Sequence, residues 1–318
     1  MIDYRTFRNT DPPALVDLWN ACFTGRGAAY LRGTILLEYF ALAKPYFDPA
    51  GLVLACVDNH TVGFVLCGFG ANAAETGLDT SKGVISLLGV LPAFRGQGIG
   101  KALLARGEAY LRGRGAKDLY AGPIPGLNPF QFGLYGGCSS TGFLESDPHA
   151  RPFFEHNNYQ RQTTILVLDR PLDAPLSIAD GRFPAFRQRY EIFALPLRKL
   201  TWWQDCVAGP IELHEYRMLD KANNEVAARM TLWHMETFAQ RWNEHGVGLV
   251  DLEVAPALRR QGLAKFFLVQ ILRHLHEQFF TLIEISVKES SEAALNLFRG
   301  IGFQEVDKGH SFLKEPRT

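Results

Sequence analysis

Two glycine-bearing segments of the sequence have the residue types needed to bind a phosphate-containing ligand. Residues 90–100 read VLPAFRGQGIG and residues 254–264 read VAPALRRQGLA, so Val, Pro, Ala, Arg, Gln and Gly recur in register. Each segment follows a predicted strand and opens a predicted helix, which directs backbone N–H groups and the positive end of a helix dipole toward one place. Gly98 and Gly262 allow a tight turn beside an anion. The sequence therefore predicts two anion-binding loops.

Two other phosphate-binding motifs do not fit these residues. A nucleoside triphosphate-binding loop needs G-x-x-x-x-G-K-[ST], but Arg95 stands at the first glycine position and Ala102 follows Lys101. The dinucleotide fingerprint G-x-G-x-x-G also fails. A nucleoside triphosphatase and a dinucleotide-dependent enzyme are therefore disfavoured.

The elements that position the loops occur twice. Apolar runs predict central strands at 84–90 and 247–254, and the residues after each loop predict helices at 98–112 and 262–277. A predicted hairpin precedes each central strand. The Gly-, Pro- and Ser-rich passage 122–148 is long for a loop, which favours a functional role for it.

Length and composition indicate a duplicated globular protein. A chain of 318 residues usually forms two domains, and we place them at 1–170 and 182–318 with a linker at 171–181. The 33 basic residues match the 33 acidic residues, so a nucleic-acid or membrane partner is not expected. Five widely spaced cysteines show no zinc-ligand spacing, and the N-terminus lacks a signal-peptide pattern. These features predict a cytoplasmic protein without a bound metal.

The loops resemble the signature [QR]-x-x-G-x-[GA] of the GNAT superfamily of N-acetyltransferases. Residues 95–100 and 259–264 both satisfy it, and residues 150–159 and 294–303 resemble the later family element A-x-x-L-Y-E-x-x-G-F. The resemblance implies an α/β (α+β) fold class. It implies two tandem GNAT folds, each a mixed, mostly antiparallel sheet with splayed central strands flanked by helices.

The resemblance further implies that acetyl-coenzyme A is the cofactor. Its pyrophosphate would bind the loop amides, and its pantetheine arm would pair with the end of the preceding strand. The implied residues of the first copy are Leu88, Val90, Arg95, Gly96, Gln97, Gly98, Ile99, Gly100 and Lys101. Those of the second copy are Leu252, Val254, Arg259, Arg260, Gln261, Gly262, Leu263, Ala264 and Lys265.

The implied reaction is direct acetyl transfer to a primary amine, carried by a small molecule or a peptide. The amine must lose a proton to a base, which the family places on the central strand. Glu253 and Asp251 lie there, spaced two apart on one face, and Glu253 is the favoured base. The first half reads SLLG at 86–89, so its base would come from Glu145, Asp147 or His149, for which surface roles are expected.

The proton donor that the family usually supplies is missing. Phe154 and Phe298 stand at the tyrosine position of the two copies, and phenylalanine cannot donate a proton. The replacement donors in the long passage are Tyr135, Cys138, Ser139 and Ser140. Aromatic side chains elsewhere are expected in the core and receive no site role; they are His156, Trp202, Trp203, Trp233 and Trp242.

Three functions remain open from the sequence. The leading hypothesis is a tandem acetyltransferase with one active and one structural or regulatory half. The missing tyrosines motivate a second hypothesis, a non-catalytic acyl-coenzyme A sensor. A third is a pure scaffold that binds no cofactor. The duplication predicts a monomer with an internal pseudo-dimer, or a weak homodimer.

Overall fold

A computed structural model gives the structure of the protein. It describes residues 1–130, 132–173, 176, 178–197, 201–208 and 211–315. The chain forms two compact units. The first unit comprises residues 1–165, 199–210 and 308–318, and the second comprises 166–198 and 211–307. None of the helices in the described part of the chain is both long and apolar enough to cross a membrane.

The first unit contains one mixed sheet and its helices. Its strands are β1 (Ile2–Thr6), β2 (Leu52–Val57), β3 (His60–Ala71), β4 (Leu78–Val90), β5 (Asp118–Ala121), β6 (Phe143–Leu144) and the start of β7 (Tyr159–Pro171). Its helices are α1 (Pro12–Cys22), α2 (Thr34–Leu37), α3 (Ile99–Gly113), α4 (Ala150–His156) and, later in the chain, α6 (Trp202–Ala208).

The central strands of the first unit separate where the predicted site begins. Strands β1 to β4 are antiparallel neighbours in chain order, whereas β4 and β5 are parallel. The described β4–β5 ladder runs from Lys82 paired with Asp118 to Ile85 paired with Ala121. The β3–β4 register skips Ser86, because Cys67 pairs with Ile85 while Leu66 pairs with Leu87. This bulge bends β4 at the point where the two strands diverge.

The second unit repeats this arrangement. Its strands are β8 (Tyr190–Pro196), β9 (Leu213–Asp220), β10 (Val226–His234), β11 (Gly246–Val254), β12 (Leu282–Lys288) and the start of β13 (Gln304–Lys314). Its helices are α5 (Phe183–Arg189), α7 (Glu236–Trp242), α8 (Leu263–Glu277) and α9 (Glu292–Arg299). Strands β8 to β11 are antiparallel, and β11 runs parallel to β12.

The second central strand also bulges and separates from its neighbour. The described β11–β12 ladder ends at Leu249 paired with Ile285, and the β10–β11 register skips Val250. Val250 therefore corresponds to Ser86 of the first unit. The predicted mixed sheets with splayed central strands are confirmed in both units.

The compact units are not two consecutive segments of the chain. The sequence predicts a last strand at 311–313, but β13 covers Gln304–Lys314 and its end belongs to the first unit. There Phe312 pairs with Ala121 of β5 and is fully buried, with its ring centroid 5.6 Å from that of Phe154. The C-terminal residues therefore belong to the first unit, because Phe312 is buried in the core of that unit.

A largely buried ion pair joins the end of β13 to α3 within the first unit. Lys314 Nζ lies 2.9 Å from Glu108 Oε1 of α3 and donates to the carbonyl of Asn157 at 2.8 Å, while Tyr159 donates to the same carboxylate oxygen at 3.0 Å. The side chains of Lys314 and Glu108 are only 12% and 10% exposed. Removing either charge would leave the other poorly compensated.

The Lys314→Met variant should therefore lower the free energy of unfolding by about 2 kcal/mol, because the carboxylate of Glu108 keeps only part of its hydrogen bonding. Urea unfolding of both proteins measures the difference. Lys117→Met, which changes an exposed lysine, serves as the control and should stay within about 0.5 kcal/mol of the parent. Equal losses for the two variants would contradict the assigned role of the pair.

Candidate functional site

The first predicted loop joins the end of β4 to the start of α3. Its backbone turns through Gly96 and Gly98, whose φ angles of +77° and +80° favour glycine. Arg95 Nε donates to the carbonyl of Val90 at 3.0 Å and fixes the loop to the strand end. Among the described residues, excluding chain neighbours, no heavy atom lies within 4 Å of a Cβ built on Gly96 or Gly98. The loop is therefore open to a ligand.

A cleft of about 600 Å³ runs along this loop, the end of β4 and helix α4. Seven of the nine predicted cofactor residues of the first copy line it; they are Leu88, Val90, Arg95, Gly96, Gly98, Gly100 and Lys101. The other two point elsewhere. Gln97 is exposed and its side-chain amide bonds to the carbonyl of Ala93, and Ile99 is buried in the core.

The cleft suits a long ligand with a phosphate at one end. The first N–H groups of α3 and the side chain of Lys101 offer an anion site. Beyond Ile85 the diverging strand β4 presents a backbone edge to which an amide-bearing arm can bond as an added strand. The residues therefore fit the pyrophosphate and the pantetheine of a coenzyme A thioester.

A second cavity of about 290 Å³ adjoins the cleft. The two cavities share five lining residues, namely Cys22, Phe23, Arg95, Asp147 and His149. Helix α1 ends at Cys22 and Phe23 follows it, while Asp147 and His149 come just before α4. Reacting groups held in the two cavities would meet at these residues.

Asp147 is the carboxylate at this junction. Burial raises its pKa above the ordinary value, although the backbone N–H of His149 and the charge of Arg95 act in the opposite direction. The N–H of His149 lies 3.4 Å from Asp147 Oδ1. A raised pKa makes a carboxylate a stronger base, and Asp147 lies where the two cavities meet.

Cys22 is a site residue that the sequence did not reveal. Burial raises the pKa of its thiol to about 11. The thiol therefore stays protonated at neutral pH and is a poor nucleophile, which disfavours an acyl-cysteine intermediate. Its position at the end of an amphipathic helix gave no local signal, because only the tertiary fold brings α1 against β4.

Other residues of the long passage have structural partners. Glu145 Oε1 lies 2.9 Å from Nε2 of the buried His310, and this hydrogen bond lowers the pKa of Glu145. Tyr135 lines the smaller cavity, where its hydroxyl accepts the backbone N–H of Leu144 at 3.0 Å. Cys138 is fully buried, and Ser140 accepts a hydrogen bond from Asn128. Of the four candidate donors, Tyr135 is the one that lines either of the two cavities described here.

The aromatic residues divide between the cleft, the core and the surface, where Trp202 is 38% exposed and not in the core as expected. Phe154 lines the cleft with a ring that stacks on Phe143 at 4.7 Å, and His156, which received no site role from the sequence, also lines the cleft. Phe298 is buried, and its ring centroid lies 5.3 Å from that of Phe303. The tryptophan side chains pack on other aromatic rings; for example, the ring centroids of Trp203 and Tyr46 are 5.2 Å apart.

The second predicted loop has the same backbone but different surroundings. Arg259 Nε donates to the carbonyl of Val254 at 3.0 Å, and Gly262 has φ +91°. The guanidinium of Arg182, however, lies 2.7 Å from the position of a Cβ on Gly262. The remaining predicted residues of this copy lie on the end of β11, the loop and the first turn of α8; they are Leu252, Arg260, Gln261, Leu263, Ala264 and Lys265.

The predicted base Glu253 lies on a charged face of the second sheet. Its Oε2 accepts Arg229 Nε at 2.8 Å. A cavity of about 390 Å³ beside it is lined also by Glu215 and Arg217, which form a second ion pair. Asp251 is exposed on the same strand. The catalytic role of Glu253 and Asp251 stays a prediction.

The chain is similar in sequence to known acetyltransferases. A family model described as "Acetyltransferase (GNAT) family" matches residues 13–136 and 177–303. A mycothiol acetyltransferase of Propionibacterium freudenreichii is 37% identical over 164 residues, which are 50% of this chain and 49% of that protein. Matches to other mycothiol acetyltransferases span as little as 24% of the relative. The chain thus matches at most about half the length of these relatives.

Two solved structures resemble the whole chain. A GCN5-related N-acetyltransferase from Sphaerobacter thermophilus superposes with a TM-score of 0.67 and 15% identity over 100% of this chain and 96% of that chain. A tandem GNAT protein from the clavulanic acid biosynthesis pathway superposes with a TM-score of 0.66 and 14% identity over 100% of both chains. At these identities the likeness shows the tandem fold.

Proposed function

Because the chain belongs to the GNAT family of acetyltransferases, we propose that its first unit transfers the acetyl group of acetyl-coenzyme A to a primary amine. The observation that carries this proposal is the junction of the two cavities, where Asp147 faces both the cofactor cleft and the smaller cavity. The cleft takes the cofactor, and the smaller cavity takes the acceptor. The second unit then has a structural or regulatory role.

The first unit provides the binding groups that the cofactor needs. The amides around Gly98 and the ammonium group of Lys101 hold the pyrophosphate, while the β4 edge at Leu88 to Val90 orients the pantetheine arm. When bound, acetyl-coenzyme A supplies an acyl group on a thiol leaving group. Backbone N–H groups of the bulged strand can stabilise negative charge on the carbonyl oxygen.

Asp147 accepts the proton that the amine loses as its nitrogen bonds to the acyl carbon and the carbon–sulfur bond breaks. Solvent or the Tyr135 hydroxyl would protonate the departing thiolate, because the phenyl ring of Phe154 has no proton to donate. Relatives named mycothiol acetyltransferases support a small-molecule acceptor, and a cavity of about 290 Å³ is of a size for one.

A second candidate function is a non-catalytic acyl-coenzyme A sensor. The buried rings of Phe154 and Phe298, at the positions where the family carries tyrosine, favour it. A sensor would use the same cleft without turnover.

The deciding experiment incubates the full chain with acetyl-coenzyme A and a panel of primary amines. Thiol release and the mass of the product report transfer, while calorimetry reports binding. We expect thiol release that depends on an amine, together with an N-acetylated product. Saturable binding without product across the panel would support the sensor, and absence of binding would support the scaffold.

A further inference from the structure

We propose that the second loop is filled by residues of its own chain, so that one chain binds one molecule of acetyl-coenzyme A. The residues are Asp180 and Arg182, which precede α5. The inference rests on the proposed cofactor site of the first unit. A filled second loop explains why two loops with the same sequence pattern would bind only one cofactor molecule.

Arg182 covers the second loop. Its Nη1 donates to the carbonyl of Gln261 at 3.0 Å, and its Cζ lies 2.7 Å from the position of a Cβ on Gly262. In the first loop, a Cβ built on Gly98 has no heavy atom of the described residues within 4 Å, chain neighbours excluded. The neighbours of Gly262 in this test are thus atoms of the half-exposed Arg182 guanidinium, whereas Gly98 has no such neighbour.

Asp180 supplies the negative charge that a phosphate would bring. Its carboxylate accepts Arg182 Nε at 2.9 Å and Arg182 Nη2 at 2.7 Å, and it lies 3.6 Å from Lys265 Nζ in the first turn of α8. Hydrogen bonds from Arg182 hold the pKa of Asp180 far below its ordinary value, so it stays ionised. Lys265 corresponds to Lys101, which lines the open cleft of the first unit.

The covering segment is held by packing as well as by charge. The carbonyl of Ile178 accepts Arg273 Nη2 of α8 at 3.3 Å. On the other side of the segment, the buried ring of Phe183 lies 5.4 Å from the ring of Phe266. Contacts to α8 on both sides keep Asp180 and Arg182 over the loop. A cofactor would have to displace an existing carboxylate and the side chain that binds it.

Equilibrium dialysis of the full chain against acetyl-coenzyme A, up to about 1 mM, tests the proposal by the number of equivalents bound. We expect one equivalent for the parent protein and two for the Asp180→Ala/Arg182→Ala variant. The Glu305→Ala/Arg299→Ala variant removes an exposed ion pair of the same unit and is the matched control, expected to bind one equivalent. Circular dichroism checks that each variant is folded.

The outcomes separate this inference from the proposed function. Two equivalents on the parent protein would overturn the filled loop and leave the first site standing. One equivalent on a folded Asp180→Ala/Arg182→Ala variant would also overturn it, because the segment would then not be what excludes the cofactor. No binding to the parent protein would refute the proposed cofactor site itself.

Discussion

Replacing Asp147 by asparagine should lower kcat for acetyl transfer by about a thousandfold, within the range found for loss of a general base. The amide keeps the shape of the side chain, and its oxygen can still accept the backbone N–H of His149, so the loop should hold its conformation. Binding of acetyl-coenzyme A should change by no more than about twofold, because the proposed cofactor contacts are made mainly by the loop after β4. Steady-state kinetics and calorimetry measure the two effects separately.

The pH profile gives an independent check on this assignment. Asp147 must be ionised to accept a proton, so activity rises with pH through its pKa. Burial raises that pKa, which places the rising limb above the ordinary aspartate value of about 4. The Asp147→Asn variant should lose this limb.

Glu253→Gln is the matched control, since it removes the carboxylate that the sequence favoured as base. It should leave kcat within about twofold if the first unit carries the reaction. A large loss for Glu253→Gln with full activity of Asp147→Asn would instead place the reaction in the second unit.

The second large effect is expected at Gly98. Gly98→Glu should weaken binding of acetyl-coenzyme A by at least about a hundredfold, roughly 3 kcal/mol, because a carboxylate would face the pyrophosphate at the start of α3. The φ of +80° adds strain of about 1 kcal/mol for any side chain. Gly98→Ala carries this strain without the charge and separates the two causes. Titration calorimetry measures the dissociation constants.

Gly262→Glu makes the same change at the equivalent position of the second loop. The new side chain would meet Arg182 rather than a cofactor, so affinity and stoichiometry should match those of the parent protein. Loss of binding in Gly262→Glu with normal binding in Gly98→Glu would reverse the assignment of the two loops.

Local patterns predicted the fold well where they reflect backbone geometry. The helices after both loops begin within one residue of the predicted start, since a positive-φ glycine and a following apolar periodicity define that boundary. The extent of the final strand was underestimated. Charged and glycine residues in 304–310 hide its alternation, and its pairing partners lie far away in sequence.

The candidate site was predicted only where local backbone geometry defines it. The open loop and the strand end were identified from their residues, whereas Cys22 and Phe23 reach the site only through packing of α1. The sequence predicts a surface role for Asp147, because no pattern in a glycine-rich passage shows which carboxylate lines a cavity. The lining of a cavity is a property of the whole unit and not of the local segment.

The sequence by itself determined the family, the duplicated loop and the cofactor class, because these depend on short runs of residues that set the backbone of a tight turn before a helix. Only the tertiary structure distinguished the surroundings of the two loops. It left the loop at Gly98 open beside Asp147 and covered the loop at Gly262 with Arg182, which stands 79 positions before Gln261 in the chain. Long-range packing chooses which groups face a loop, and the residues of the loop do not encode that choice.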